Sequence, residues 1–576
     1  TQFYQKESLW IVLSLAMIIL VDLLIIFLTN SIRVGSVIVP FVLFIFAVVV
    51  CVVYEFRGIP MMAPDILTVQ TATSVMGNYT FKLTFEQYSV ILVCMAFFFT
   101  FLRLHEVKVT EKRVFHIAGF IVVALGCGLF TNQIILSDFM EEHQINIRMF
   151  RPMESYQKYG GVLTFARSVG YAVVKKPEGY TTAKVDQIIQ EYEKKSANEQ
   201  QSTAKQYPNI ITVVNETFAD IKVLGDFKTN EDYMPYFHSL KKNCVTGYTY
   251  ASIVGGQTAN TEFELLTGNT LGFLSAGTTA FQLYIHGQMP SLVSNLKAEG
   301  YSGNKAMHPF NPYNYNRPAV YKDFGFTDFI DKFDFPKNVK RVREYISDEA
   351  NVDRIISEYE KNRKKTDQPF YMYNMTIQNH SPYDKDAANF KQPIKIESSK
   401  YDAEANRYLN LIKYSDDSLK QLTSYFEKCK EPTIILFLGD HQPRLTDEFM
   451  NKITNGQYQT WSSEQMMKRY QVPFVIWANY DIKEQHIEKT SMNYIQSILT
   501  KTAGVKMTGY QRFLNEVRKE VPTITSQGYW GKNGNFYQIN DKGSPYYGII
   551  QKYRMIQYNM MFDKKNRRDS FFEVSK

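Results

Sequence analysis

Thr433-Ile434-Ile435-Leu436-Phe437-Leu438-Gly439-Asp440-His441 decides how the larger part of this chain is built. An unbroken apolar run ends at a glycine, followed at once by an acid and an imidazole. A run without polar alternation is a strand buried on both faces, as in a parallel sheet covered by helices. Three further runs share the pattern: Ile210-Ile211-Thr212-Val213-Val214, entering Asn215-Glu216-Thr217-Phe218; Pro369-Phe370-Tyr371-Met372-Tyr373-Asn374-Met375, leading to Asn379-His380-Ser381-Pro382; and Pro473-Phe474-Val475-Ile476-Trp477-Ala478. Segments of helical spacing, such as residues 406–428, lie between them. The expectation is a parallel α/β sheet covered on both faces. Ligands gather beyond the carboxyl ends of such strands. Glu216, His380, Asp440 and His441 all sit just past strand ends and would converge on one rim.

Gly255-Gly256-Gln257-Thr258-Ala259-Asn260-Thr261-Glu262-Phe263 supplies a hydroxyl on a glycine turn. Alone it reads more often as a plain loop, and Gly439-Asp440-His441 alone reads equally as a capping turn. Together they are more informative. Glu216, Asp440 and His441 offer two hard oxygens and one imidazole, and Thr258 would complete a four-ligand site for Mn²⁺ or a similar divalent ion. A threonine hydroxyl is a poor nucleophile at neutral pH, and coordination would lower its pKa. The glycines would permit a sharp turn and close approach of substrate. His308 and Arg317 flank Pro309-Phe310-Asn311-Pro312-Tyr313-Asn314-Tyr315-Asn316. The planar fork of Arg317 matches phosphate oxygens, although a surface ion pair is the plainer reading. His308 and Asn260 could donate to a phosphate or a hydroxyl.

The 576 residues are too many for one ordinary domain. Mean hydropathy is −0.26, but that average hides a split, with long apolar runs crowded into the first part. Residues 9–28, 37–54, 88–102 and 114–131 are four apolar segments near the lower limit of about 17 to 20 residues for a spanning helix. The most basic loop, residues 103–113, is expected to be cytoplasmic. That places everything after about residue 135 outside and the chain start outside too. An outside start, with Thr1 in place of Met, fits a further span upstream. Residues 56–85 would face outward as a surface-lying or re-entrant helix, or as a connecting loop. The expected division is membrane helices over 1–135, interfacial helices and linker over 136–207, a catalytic domain over 208–550 and a tail over 551–576. Residues 140–151 could lie along the membrane, 182–195 have helical spacing, and 196–206 read as a hinge.

Net charge is +8, but the bases are dispersed among nearly as many acids and no nucleic-acid motif is present, so nucleic acid is excluded as a partner. Five cysteines show no metal-type spacing.

As a set, Asn215-Glu216-Thr217-Phe218, Gly256 to Phe263, His308 to Arg317, Asn379-His380 and Gly439-Asp440-His441 resemble the lipoteichoic acid synthase family. These are membrane-anchored phosphoglycerol transferases of the alkaline phosphatase/sulfatase superfamily. The resemblance implies a multi-pass α-helical membrane domain followed by an extracellular sulfatase-like α/β domain in a bacterial cell membrane. It implies Thr258 as nucleophile; Glu216, Thr258, Asp440 and His441 as ligands of Mn²⁺, with Mg²⁺ as the alternative; and His308, Arg317 and His380 around the glycerol phosphate. The donor would be phosphatidylglycerol, with diacylglycerol released. Ala259 and Asn260, Tyr315, Phe310 and Asn215 depart from the usual pattern. They look closer to the GacH-type branch that decorates streptococcal rhamnose polysaccharides in Gram-positive walls. The acceptor is then a cell-wall glycan or a growing teichoic acid chain, and Asn260 would help read the glycerol phosphate.

The expected chemistry is two in-line displacements at phosphorus, with Arg317 offsetting charge and His380 moving the proton. A true sulfatase is disfavoured, because no Cys/Ser-x-Pro-x-Arg motif is present. A phosphoethanolamine transferase is the nearer rival, and a catalytically silent glycan binder is the alternative from another class.

Overall fold

The structure is a computed structural model and describes residues 9–57, 60–63, 66, 85–103, 105–137, 139–143, 145, 152–172, 174, 176–196, 206–275 and 278–574. It divides into two compact units, Thr1–Val174 with Ser275–Thr278, and Lys175–Leu274 with Thr279–Lys576.

The first unit is helical. Leu9–Thr29, Ile32–Cys51 and Arg113–Ile135 are, among the described residues, the helices long and apolar enough to cross a membrane. They contain most of three of the four expected spans. The fourth expected span, residues 88–102, falls in the 18-residue helix Phe85–Leu102. Outward-facing Val114, Val122, Leu125 and Leu129 are more than 60% exposed, a surface that suits hydrocarbon rather than water. A small core of Leu13, Met62, Ile135, Met140, Tyr159 and Leu163 ties the helices to the segment that follows. Most of residues 56–85, the end of 140–151 and most of 196–206 lie outside the described residues.

The strands of the second unit are β1 (Asn209–Asn215), β2 (Cys244–Tyr250), β3 (Ser302–Met307), β4 (Asp328–Ile330), β5 (Arg341–Val342), β6 (Tyr345–Ile346), β7 (Phe370–Met375), β8 (Thr433–Gly439), β9 (Gln471–Ala478) and β10 (Gln485–Ser491). Eight of them form one sheet in the order β10-β2-β9-β8-β1-β7-β3-β4, while β5 and β6 form a separate antiparallel hairpin. Every residue of β1, β7 and β8 is buried. Alternate side chains feed two cores: Ile210, Val214, Tyr371, Tyr373, Leu436 and Leu438 on one face, and Ile211, Val213, Met372, Ile435 and Phe437 on the other. This two-sided burial is why these strands read as continuous apolar runs.

The sheet is mixed, not wholly parallel. β9 runs antiparallel to both β8 and β2. The chain leaves β8 and re-enters β9 at the same end of the sheet, so the return strand must oppose its neighbours.

The helix Thr182–Ser196 buries Val185, Ile188, Ile189 and Tyr192. It packs within the second unit, where Tyr192 meets Phe513 edge-on at 4.6 Å and Glu191 pairs with Lys552 at 2.7 Å. The stretch expected as a tail behaves differently from that expectation. Its helices Tyr547–Met561 and Asp569–Phe572 bury Tyr553, Ile556, Phe571 and Phe572 in the domain core. The charged residues 563–569 mask that packing in the sequence.

Candidate active site

Three turns meet at the carboxyl ends of the two central strands. β1 delivers Glu216 and β8 delivers Asp440 and His441. The turns cross closely: a Cβ on Gly439 would lie 1.8 Å from the carbonyl oxygen of Phe218, so only glycine fits. Asp440 Oδ1 accepts hydrogen bonds from the backbone N–H of Thr217 at 2.7 Å and of His441 at 2.8 Å. Thr217 takes φ 50° to reach it.

The third turn carries Thr258. Gly255, Gly256 and Gln257 all have positive φ (69°, 147° and 64°), which explains the two glycines. Thr258 then opens the helix Thr258–Thr267, all ten of whose residues are buried. The N–H of Gly255 donates to the carbonyl of Gln442 at 2.9 Å, and Thr261 Oγ1 donates to the carbonyl of Asp440 at 2.8 Å. The hydroxyl turn and the Asp-His turn are therefore stitched together twice. A helix N-terminus at Thr258 favours negative charge there.

Ligand-capable atoms of Glu216, Asp440 and His441 all lie within 4.8 Å of one another. His441 Nε2 is 3.2 Å from Asp440 Oδ2 and 3.9 Å from Glu216 Oε1. Thr258 Oγ1 donates to Glu216 Oε2 at 3.4 Å. Asp440 Oδ2 and His441 Nε2 are buried with no hydrogen-bond partner. Such orphans are costly unless something joins them. His441 Nδ1 lies 2.9 Å from the carbonyl of Gln442. A carbonyl only accepts, so Nδ1 carries the proton and Nε2 keeps its lone pair, the tautomer of a metal ligand. Burial, reinforced by Asp440, raises the Glu216 pKa well above its usual value, outweighing the opposing pull of Arg317 and the Thr258 hydrogen bond. The residues fit a divalent cation. Two carboxylates, an imidazole and a hydroxyl suit Mn²⁺, Zn²⁺ or Mg²⁺.

Arg317 opens the helix Arg317–Phe324 after Asn316, which adopts φ 57°. Its side chain is buried against Glu262, with Nε 3.1 Å and Nη2 2.7 Å from Oε1. The hydroxyls of Tyr321 and Tyr373 donate to the other oxygen of Glu262, and the guanidinium lies 5.1 Å from the centre of the Tyr315 ring. Two nitrogens of the expected phosphate fork are thus committed to an internal carboxylate. Glu262 carries no separate signal in the sequence, although it lies four residues after Thr258, one helical turn on.

His308 follows β3 and His380 lies five residues past β7. His308 Nδ1 is 3.0 Å from the Met375 carbonyl, and His380 Nδ1 is 2.7 Å from that of Ser381. Each ring therefore presents Nε2 as a proton acceptor. Burial lowers both pKa values, for His308 with added repulsion from Arg317. Phe310 stacks on His380 at 6.3 Å, and Arg343 donates to the carbonyls of Gln378, His380 and Pro382 at 2.7 to 2.9 Å. Arg343 has no local sequence signal, because the contact joins the β5–β6 hairpin to a distant loop. Asn260 is buried, with its Oδ1 accepting from the N–H of Ala280 at 2.9 Å. That oxygen anchors the backbone that follows the helix. Asn379 Nδ2 lies within 3.1 Å of Asn215 Oδ1, the Glu216 carbonyl and Ser415 Oγ, and braces the Glu216 turn.

Residues 208–505 match the Sulfatase family. The chain is 30% identical over 433 residues to a Rhizobium meliloti (strain 1021) protein named for cyclic beta-1,2-glucan modification, covering 74% of this chain and 65% of the relative. It is 23% identical over 374 residues to the lipoteichoic acid synthase of Staphylococcus saprophyticus, covering 62% of this chain and 55% of the relative. The chain thus spans about two thirds or less of the length of these curated relatives. The solved structure of Streptococcus pyogenes phosphoglycerol transferase GacH in complex with sn-glycerol-1-phosphate shares the fold. The TM-score is 0.57 at 20% identity, over 70% of this chain and 100% of that one.

Proposed function

The chain belongs to the sulfatase family, and from that premise we propose that it is a metal-dependent phosphoglycerol transferase. It takes sn-glycerol 1-phosphate from phosphatidylglycerol, holds it on Thr258 and passes it to a glycan hydroxyl, releasing diacylglycerol. One observation carries this reading: Asp440 Oδ2 and His441 Nε2 are buried without hydrogen-bond partners beside Glu216, to which the Thr258 hydroxyl donates. Phosphoryl transfer needs that combination of nucleophile and electrophilic centre.

Glu216, Asp440, His441 and Thr258 would hold the cation, Mn²⁺ in the first instance and Mg²⁺ as the alternative. When bound, it favours the deprotonated form of a coordinated hydroxyl and offsets charge at phosphorus. In the first displacement Thr258 Oγ1 forms a bond to phosphorus, and the bond from phosphorus to the diacylglycerol oxygen breaks. The proton lost by Thr258 travels through His380, neutral at rest and so able to accept it, to the departing diacylglycerol oxygen. In the second displacement His380 takes the proton of the acceptor hydroxyl, a new phosphorus–oxygen bond forms to the acceptor, and Thr258 Oγ1 leaves and is reprotonated. The N-terminus of the Thr258–Thr267 helix favours the charge that develops at Oγ1, and Arg317 balances the phosphoryl oxygens from its fixed seat on Glu262.

A glycan acceptor is supported by the 30% identical relative named for glucan modification. A streptococcal-type wall rhamnan is one such glycan. The end of a polyglycerol phosphate chain is the second reading, supported by the lipoteichoic acid synthase relative. The apolar helices would anchor the enzyme in the cell membrane as a multi-pass protein, with the catalytic unit outside the cytoplasm.

The test is reconstitution of the full chain with headgroup-labelled phosphatidylglycerol and Mn²⁺. Label should appear on Thr258 with release of diacylglycerol, and Thr258→Ala should abolish both. Retained release in that variant removes Thr258 from the nucleophile role. Preference for phosphatidylethanolamine would make the enzyme a phosphoethanolamine transferase.

A further inference from the structure

The rim beyond His380 ends in an unusual lip. Among the described residues of the second unit, Phe333 at 73% and Tyr313 at 62% are the most exposed large hydrophobic side chains. Tyr313 lies in the loop after β3, and Phe333 in the short 3₁₀ turn Lys332–Asp334 after β4. β3 and β4 are adjacent and parallel, pairing Met307 with Ile330, so both loops emerge at the end of the sheet that holds Glu216. The N–H of His308 donates to the Ile330 carbonyl at 2.9 Å, joining the bases of the two loops. Lys332 Nζ stands 5.0 Å from the Phe333 ring centre and 5.8 Å from that of Phe310. Phe310 in turn stacks on His380. A continuous path therefore runs from solvent at Phe333 through Lys332 and Phe310 to His380. Three strand spacings separate β4 from β1, about 14 Å.

The charge around this path is positive. Residues 331–344 hold five basic and three acidic side chains. Two of the acids, Asp331 and Asp334, cap the turn that carries Phe333: Asp331 Oδ1 accepts from the Phe333 N–H at 2.7 Å, and Asp334 Oδ2 from that of Asp331 at 2.8 Å. Lys337 and Arg341 are exposed. Exposed rings interleaved with lysine and arginine are the composition of surfaces that settle into the headgroup layer of anionic bilayers.

We propose that Tyr313, Phe333, Lys332, Lys337 and Arg341 form a docking lip for an anionic lipid surface, which feeds the donor headgroup along Phe310 to the site. The role in feeding rests on the phosphatidylglycerol reading above; the docking itself does not.

Two measurements on the full chain reconstituted in vesicles test it. In F333W, the added fluorescence relative to the parent protein should be quenched by brominated phosphatidylglycerol and much less by brominated phosphatidylcholine. Equal or absent quenching overturns the proposal. In the double variant F333S/Y313S, the apparent KM for phosphatidylglycerol in vesicles should rise on the order of tenfold as ring burial is lost. Turnover of a short-chain, water-soluble phosphatidylglycerol should stay unchanged. Equal loss with both donors, a rise confined to the KM of the glycan acceptor, or a change only in oligomeric state would each overturn it. Selective quenching in F333W without transfer from any donor would leave the lip standing and remove the transferase reading instead.

Discussion

Glu262 holds Arg317 from inside the Thr258–Thr267 helix, Oε1 to Nη2 2.7 Å, with both side chains shut away from water. The pair does more than neutralise two charges. Because Glu262 is one turn beyond Thr258, the bridge sets the guanidinium at a fixed offset from the hydroxyl. Removing the carboxylate leaves an uncompensated buried cation. Glu262→Ala should cost about 3–5 kcal/mol of stability, seen as a large drop in the thermal midpoint. Glu262→Gln, which keeps an acceptor for Arg317 and for the tyrosines, should lose less stability but still lower turnover. Wild-type turnover in the Gln variant would detach Arg317 from the phosphoryl centre.

Arg343 should behave as a positioning residue for His380. Its two terminal nitrogens reach three carbonyls of the 378–382 segment, a span that the single ammonium of lysine does not reproduce. Arg343→Lys should lower kcat by roughly 10- to 100-fold through misplacement of His380, with KM for the donor and the thermal midpoint little changed. Parallel falls in kcat and thermal midpoint would point to a general folding defect instead.

The metal-free protein should be frustrated at its centre. With its pKa raised by burial and by Asp440, Glu216 binds a proton more tightly folded than unfolded. Its contribution to metal-free stability is therefore present below the ordinary value of 4.5 and is lost as pH rises through the higher folded value. Asp440→Asn removes the repelling charge. That variant should raise the thermal midpoint of the chelated protein at neutral pH, corresponding to about 1 kcal/mol or more, while abolishing activity. Mn²⁺ should raise the midpoint of the parent and leave the variant's unchanged. An unchanged parent midpoint with added Mn²⁺ would count against the metal centre.

A second electrostatic feature lies beyond the site. His238 Nε2 is 3.8 Å from Asp220 and its Nδ1 is 2.7 Å from Asp232; the two acids, Asp220 first, raise its pKa to about 9. The folded state binds this proton more tightly, so the contribution is full below the ordinary 6.5 and is lost as pH climbs through about 9. The gap in thermal midpoint between the parent and His238→Gln should be widest near pH 6 and close toward pH 9.5. A gap independent of pH would mean that packing, not charge, is what His238 contributes.

The centre of the fold is legible in the sequence because β1, β7 and β8 are buried on both faces and admit only apolar residues. Their ends mark the turns that carry Glu216, Asp440 and His441. The Thr258 turn is legible because positive φ at Gly255 and Gly256 leaves glycine as the natural residue. β2, β3 and β10 are harder to read. Cys-Val-Thr-Gly-Tyr-Thr-Tyr, Ser-Gly-Asn-Lys-Ala-Met and Gln-His-Ile-Glu-Lys-Thr-Ser carry polar residues because they lie toward the sheet's edges and are partly exposed. The reversed direction of β9 leaves no trace in a symmetric apolar run. Contacts such as Arg343 with the His380 loop, or Glu262 with Arg317, join residues 35 or more positions apart and have no periodic signature.

The strand order has an evolutionary consequence. Thr258, the Glu216–Asp440–His441 cluster and His380 all hang from the middle of the sheet, on β8, β1 and β7 or on the turn bonded to them. Of the peripheral loops, that after β3 reaches the centre through Phe310 against His380 and Arg317 against Glu262, and that after β4 meets it through Lys332 beside Phe310. Substitution in the exposed tips of these loops would change the surface or polymer that is met while sparing the central cluster. Divergence among relatives should therefore be read from the rim inward.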